Sequence, residues 1–302
     1  MEGYLAAMAV FAGLSAMMAL GLNLVWGLAG MVNLGLVGFY AIGAYTTALL
    51  CVKLGWSPIA GVLAASVLSA AIGSVMAVVT ARLKGDYLAI VTLGFAEIVR
   101  LVASNEIWLT GGTTGISNIP GLPRAMLTPL QVNLVYAALV WIIVAATAIL
   151  LARLSAAPFG RVLRAIREDQ MVAAVAGKQV LRFKIQAFAT SSGVLGLAGG
   201  LYAHYIGYVA PDAFTPLITI TVVLALTAGG TGSMRGAILG AILVVALTEG
   251  TRFLGAVLPD LSPVRIAALR EGLIGLALIL ALSLRPDGLL PETLPKLKAE
   301  PT

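Results

Sequence analysis

Between Glu2 and Lys53 the chain carries no charged side chain, and a second charge-free run follows from Leu54 to Ala81. An apolar stretch of about 18–20 residues suffices to cross a bilayer as a helix, and such stretches recur along almost all of the 302 residues. Only 11% of residues are charged and 60% are hydrophobic, whereas ordinary soluble domains are roughly 25% charged. The chain therefore reads as an all-α, polytopic helical bundle in a lipid bilayer. It forms a single transmembrane domain over 1–302, without room for a soluble catalytic domain beside it. Its 34 glycines suit close helix approach in lipid, where small residues let backbones pack without a hydrophobic driving force.

Charge-poor segments predict about eight or nine spans, near 4–25, 34–52, 57–81, 87–104, 129–152, 185–206, 216–229, 236–254 and 266–284. One or two of these helices are expected to be broken or re-entrant. The run 216–229 is short for a bilayer of about 30 Å, and Gly229-Gly230-Thr231-Gly232-Ser233 follows it. A similar break, Trp26-Gly27-Leu28-Ala29-Gly30, separates the first two apolar runs. Irregular backbone at membrane depth is tolerated where it is buried in protein or lines a cavity, so such breaks point to a transport path or, more plainly, to a turn.

Orientation follows from the loops. Arg153, Arg161, Arg164, Arg167, Lys178, Arg182 and Lys184 face only Glu168 and Asp169 in the same segment. That bias places 153–184 in the cytoplasm by the positive-inside rule. Counting spans puts Arg82/Lys84, Arg235 and the 285–302 tail on the same side, and Asn105–Thr128, 207–215 and the amino terminus outside. The net charge of +6 is explained by these juxtamembrane basic residues, and no nucleic-acid partner is expected. No signal-peptide pattern opens the chain. The single cysteine, Cys51, rules out an intrachain disulfide.

The cytoplasmic connection is the strongest functional candidate. From Arg161 to Ala176 it reads as one helix after Pro158, stopped by Gly177. Arg161, Arg164 and Glu168 share a face, and Val162, Ile166 and Ala173 form an apolar one. Such a helix lies on lipid, docks in a partner's groove, or is merely a solvated connector. Glu97 and Arg100 stand three apart in an apolar run, so they are expected to form a buried ion pair. That pair is either structural or part of a path. Glu249 and Arg252 repeat the spacing. His204, the only histidine, is expected at an interface and not at a metal. The loop Leu109–Ile116 is glycine-rich but lacks a Gly-Lys-Ser/Thr ending, and none occurs elsewhere in the chain. The chain is thus not read as an enzyme: no catalytic residue, metal or cofactor is expected on it, and any ATP is bound by another polypeptide.

Several segments together resemble the permease subunits of branched-chain amino acid ABC importers. They are Gly21-Leu-Asn-Leu-Val-Trp-Gly-Leu-Ala-Gly30, Gly38-Phe-Tyr-Ala-Ile-Gly-Ala-Tyr45, the stretch Leu83–Arg100, Leu109-Thr-Gly-Gly-Thr-Thr-Gly-Ile116, Gly160-Arg-Val-Leu-Arg-Ala-Ile-Arg-Glu-Asp169, Gly229-Gly-Thr-Gly-Ser-Met-Arg-Gly236 and Arg285-Pro-Asp-Gly-Leu-Leu290. The resemblance implies alternating access driven by two cytoplasmic ATP-binding subunits, which hold the ATP and Mg. It also implies a second homologous permease, a periplasmic or extracellular substrate-binding protein, and the cytoplasmic membrane of a bacterium or archaeon. Arg161, Arg164, Arg167, Glu168, Asp169 and Gly177 would belong to the ATPase-coupling element. Asn33, Gly111, Gly112, Thr113, Gly229 and Gly230 are the candidate substrate-path positions. Two departures stand out: Asn33-Leu-Gly-Leu36 replaces the frequent Ser-Leu-Gly-His, and Gln170 replaces an acid. Relatives that move urea or short amides keep those substrates open. An ion-coupled secondary transporter using Glu97 or Glu249, and a non-transporting scaffold, are the readings outside the family.

Overall fold

The computed structural model describes residues 2–83, 85–122 and 128–250, and then Arg265, 268–269, 272, 275–276, 279, 283, 285 and 288–292. The expected span 266–284 and the residue Arg252 thus lie wholly or mostly outside the described residues. The described chain is helical: α1 (Glu2–Leu22), α2 (Leu36–Lys53), α3 (Pro58–Val79), α4 (Asp86–Asn105), α5 (Ile107–Thr110), α6 (Pro129–Ala156), α7 (Pro158–Glu168), α8 (Gln170–Val175), α9 (Val180–Ile206), α10 (Pro216–Gly229) and α11 (Met234–Gly250). Among the described residues the sole β feature is an isolated antiparallel bridge, Ile116 to Val209. Among the described residues, six helical segments are long and apolar enough to cross a membrane: Glu2–Leu28, Leu36–Lys53, Pro58–Val79, Asp86–Asn105, Pro129–Ala156 and Pro211–Gly229. Beside them run α9 and α11, which bury faces in the same bundle.

Helix starts follow local chemistry. Ser57 accepts a hydrogen bond from the Ala60 amide ahead of Pro58. Thr128 and Gln131 form a reciprocal capping box ahead of the longest helix, α6, satisfying amides that helix geometry leaves orphaned.

The centre of the bundle is α9, packed against α1, α2 and α3. Small residues set that packing: a Cβ on Gly43 would overlap the carbonyl oxygen of Gly196, and one on Gly199 would overlap that of Tyr40. Helices α2 and α9 thus touch backbone to backbone, which in lipid is a main source of helix association. Ser66 donates to the Gly193 carbonyl at 2.9 Å and Ser191 to that of Gly21 at 2.7 Å, tying α3 and α1 to the same helix.

His204 lies near the end of α9, where the sequence put it, but is 5% exposed, enclosed by neighbouring helices. Its Nδ1 faces the carbonyl of Pro120, which can only accept, so Nδ1 carries the proton and Nε2 accepts from the Thr47 hydroxyl at 2.9 Å. The Tyr136 hydroxyl donates to the His204 carbonyl. Histidine here joins α2, α6 and α9 to the 119–122 segment.

The bundle has two ends. At one end lie α7 and α8, the 80–83 turn, the 229–233 turn and residues 288–292. They are joined by Lys184 to Ala81 and Gln170, and by Glu292 to Arg164. At the other end the Ile116–Val209 bridge ties the 105–122 segment to 207–209, and Lys53 donates to the carbonyls of Trp108 and Leu109. Asn133 donates to the Gly3 carbonyl, holding the start of α1 against the start of α6 at that same end. These groupings are those that the charge count assigns to the two faces of the membrane.

Candidate functional site

The segment from Pro158 to Gly177 is not one helix but two. Asp169 is extended (φ −151°, ψ 113°) and its Oδ1 accepts from the amides of Met171 at 2.7 Å and Val172 at 3.1 Å. It therefore ends α7 and caps α8. Aspartate is a preferred N-cap because its carboxylate satisfies orphan amides better than a continuing helix would. Gly177, at φ +76°, closes α8 in a conformation a side chain disfavours. Between the two helices lies a groove of about 540 Å³, lined among others by Arg161, Val162, Asp169, Val172, Ala176 and Lys178.

The elbow has an inner and an outer side. Leu163, Ile166 and Ala173 are buried. Facing out are Arg161, Glu168 and Asp169, together with an apolar tip made of Met171, Val172 and Val175, 71%, 65% and 90% exposed. The tip was missed in the sequence, although the apolar spacing 171, 172, 175 on a polar connector is visible there.

Arg164 and Arg167 point inward. Arg164 Nε donates to Glu292 Oε1 at 2.6 Å and its Nη1 to the Ser155 carbonyl at 3.1 Å. Arg167 Nη1 donates to Glu292 Oε2 at 2.9 Å and to the Gly27 carbonyl. The six coupling candidates thus divide: Arg161, Glu168, Asp169 and Gly177 are on the outward elbow, while the other two are bound within the permease.

Both glycine breaks exist and they meet. Helix α1 widens into a π-helical turn over Asn23–Leu28 and then runs irregularly through 29–35. Helices α10 and α11 are separated by the 230–233 turn, where Gly230 has φ +116°. Asn23 Oδ1 accepts from the Gly232 amide at 2.7 Å, joining the two breaks. The space beside Gly229 is filled: a Cβ there would overlap the Gly236 carbonyl and lie 3.0 Å from Gly240 Cα. Leu289 and Leu290 donate to the carbonyls of Ala228 and Gly229, each at 2.9 Å. Around Gly229 and Gly230 the neighbours are the chain's own backbone.

The other path candidates lie apart. Asn33 is buried in the irregular segment; its Oδ1 accepts from the Gly35 amide at 2.9 Å, and its Nδ2 has no hydrogen-bond partner among the described residues. The adjacent Leu34 amide donates to Thr92 of α4 at 3.0 Å. Gly111, Gly112 and Thr113 form a tight turn at the far end, anchored by the Thr110 hydroxyl. The structure does not bring the six into one cavity.

Glu97 and Arg100 do pair, with Arg100 Nε 3.0 Å from Glu97 Oε2, but the pair is not buried within the chain. The two side chains are 39% and 26% exposed, on the flank of α4 beside its buried stripe of Leu88, Thr92, Ala96 and Ala103. One turn away, Gly94 has nothing within 4 Å of a Cβ position. Glu249, the other acid an ion-coupled mechanism would need, accepts from the Tyr4 hydroxyl at 2.7 Å.

The helical bundle, with its basic, elbowed connector and glycine-interrupted spans, is that of a polytopic membrane protein. The chain belongs to the family described as the permease component of the branched-chain amino acid transport system, whose model matches residues 4–282. It is 37% identical to the high-affinity branched-chain amino acid transport system permease protein LivM of Escherichia coli, over 93% of this chain and 68% of that protein. The probable branched-chain amino acid transport permease protein LivM of Methanocaldococcus jannaschii is 29% identical, over 93% and 91% of the two chains. A fructose import permease protein, FrcC of Rhizobium meliloti, is 29% identical over 67% of this chain and 58% of its own. No solved structure matches.

Proposed function

We propose that the chain is a permease subunit of an ATP-driven importer for branched-chain or related aliphatic amino acids, residing in a bacterial or archaeal cytoplasmic membrane with α7 and α8 on the cytoplasmic side. The observation that carries this is the near-complete family match in a chain whose elbow presents an exposed apolar tip flanked by Arg161 and Lys178. In this reading two separate ATPase subunits, which bind the ATP and Mg, grip the α7–α8 elbow, and their closure drives alternating access. A substrate-binding protein delivers the amino acid to the opposite face.

A second, homologous permease completes the path. The exposed flank of α4 supports this, because a charged pair within a span normally faces protein or water and not lipid. Covering that flank with a second permease would put Glu97 and Arg100 at the path, where an amino acid's ammonium and carboxylate also need partners.

Reconstituting the permeases, ATPases and binding protein in proteoliposomes and measuring leucine uptake tests the reading. Uptake that requires ATP and the loaded binding protein is expected. An absence of uptake for leucine, isoleucine and valine alike would reject the substrate assignment. The elbow is tested in the same system. Met171→Asp with Val175→Asp should abolish co-purification of the ATPases while leaving the permease folded, since both positions are solvent-facing.

A further inference from the structure

Four segments far apart in sequence converge on one carboxylate. Glu292 is 14% exposed on its side chain, with Oε1 on Arg164 and Oε2 on Arg167. The Arg167 nitrogen that meets Glu292 also donates to the Gly27 carbonyl, in the widened end of α1. On its other side Glu292 abuts the second break: a Cβ on Gly232 would come within 2.6 Å of Oε2. Asn23 then closes the ring by accepting from the Gly232 amide, and residues 289–290 are hydrogen-bonded along Ala228 and Gly229.

The chemistry of this ring is directional. Two guanidiniums from one short helix share a single carboxylate, so without it two like charges would face each other in a half-buried site. Charge-assisted bonds of this kind are short and hold geometry firmly. Helix α7 has no comparable ion pair to the breaks elsewhere among the described residues. A displacement of α7 therefore reaches Gly27 through Arg167, and reaches the 229–232 turn through Glu292.

We infer that Glu292 is a positioning residue for transport: its carboxylate, held between Arg164 and Arg167, transmits movement of α7 to the two broken helices. The inference rests on the reading that the α7–α8 elbow engages an ATPase, which co-purification of the wild-type permease with the ATPase tests by itself.

The decisive measurement uses the complete reconstituted complex and reads two quantities: ATP hydrolysis stimulated by leucine-loaded binding protein, and leucine moved per ATP. Glu292→Gln keeps the size and removes the charge. We expect the complex to assemble and hydrolyse ATP, with leucine moved per ATP reduced at least about fivefold, roughly 1 kcal/mol of coupling. Glu292→Asp keeps the charge but shortens the reach, and should fall between Gln and the wild type. A Glu292→Gln complex with wild-type stimulation and stoichiometry overturns the inference. If Glu292→Gln does not assemble, Glu292→Asp is read on the same ratio, and an unchanged ratio there also overturns it. A merely structural role would lower the yield of complex without changing leucine per ATP in what assembles.

Discussion

Single side chains in this bundle divide into those buried between helices and those left partly exposed. The Thr47–His204 contact is of the first kind. Thr47→Val would leave the buried Nε2 only the weak contact with the Cys51 thiol at 4.0 Å and, by the usual cost of a poorly satisfied buried polar group, remove about 1–3 kcal/mol. A lowered melting temperature of the purified permease checks this, with Thr47→Ser expected to retain most of the stability. Glu97 and Arg100 are of the second kind, paired but 39% and 26% exposed. Either Glu97→Leu or Arg100→Leu alone should reduce transport by roughly tenfold or more by leaving a lone charge at membrane depth. If the pair is only structural, the double change restores transport. If it lines the path, the double variant assembles with a normal melting temperature and still moves no leucine. Residue identities made the pair visible in the sequence, but not its direction, because three-residue spacing fixes a shared face without saying which way that face turns.

At the scale of elements, the spans up to residue 250 and both breaks were legible because apolar runs and glycine clusters report directly on helix and turn. The split of the coupling segment was not. Residues 161–176 carry a continuous helical pattern, and the capping bonds from Asp169 to Met171 and Val172 override it locally. The inward turn of Arg164 and Arg167 was equally hidden, since their partner lies 128 and 125 residues away. The consequence is testable. Reversing Arg164 and Arg167 to Glu should lower the thermal stability of the isolated permease, whereas reversing Arg161 should not. Equal stability of all three variants, measured without any ATPase present, would return the arginines to the role of surface contacts. Close packing gives a further expectation: Gly43→Leu forces α2 off α9 and should abolish folding, detected as loss of monodisperse protein.

For the molecule as a whole, the two-ended grouping makes a prediction about the membrane. Cys51, the only native cysteine, is buried, so introduced cysteines report cleanly. A cysteine at Val175 should react with an impermeant thiol reagent from the cytoplasmic face alone, and one at Thr113 from the outer face alone. Labelling of both from one side would break the assignment.

The contact between Glu292 and Arg167 also imposes an order of manufacture. Arg167 leaves the ribosome 125 residues before Glu292, a delay of roughly 6–25 s at ordinary translation rates of about 5–20 residues per second. Throughout that interval Arg164 and Arg167 lack their shared carboxylate, Arg167 having only the neighbouring Glu168 as an ion-pair partner, and the 229–233 turn lacks residues 289–290 beside it. Synthesis of residues 288–292 closes the ring, so α7 gains its ionic link to the two breaks only then. Nascent chains arrested before residue 288 should be inserted in the membrane with α7 open to limited proteolysis, and protection of α7 should begin when 288–292 clears the exit tunnel.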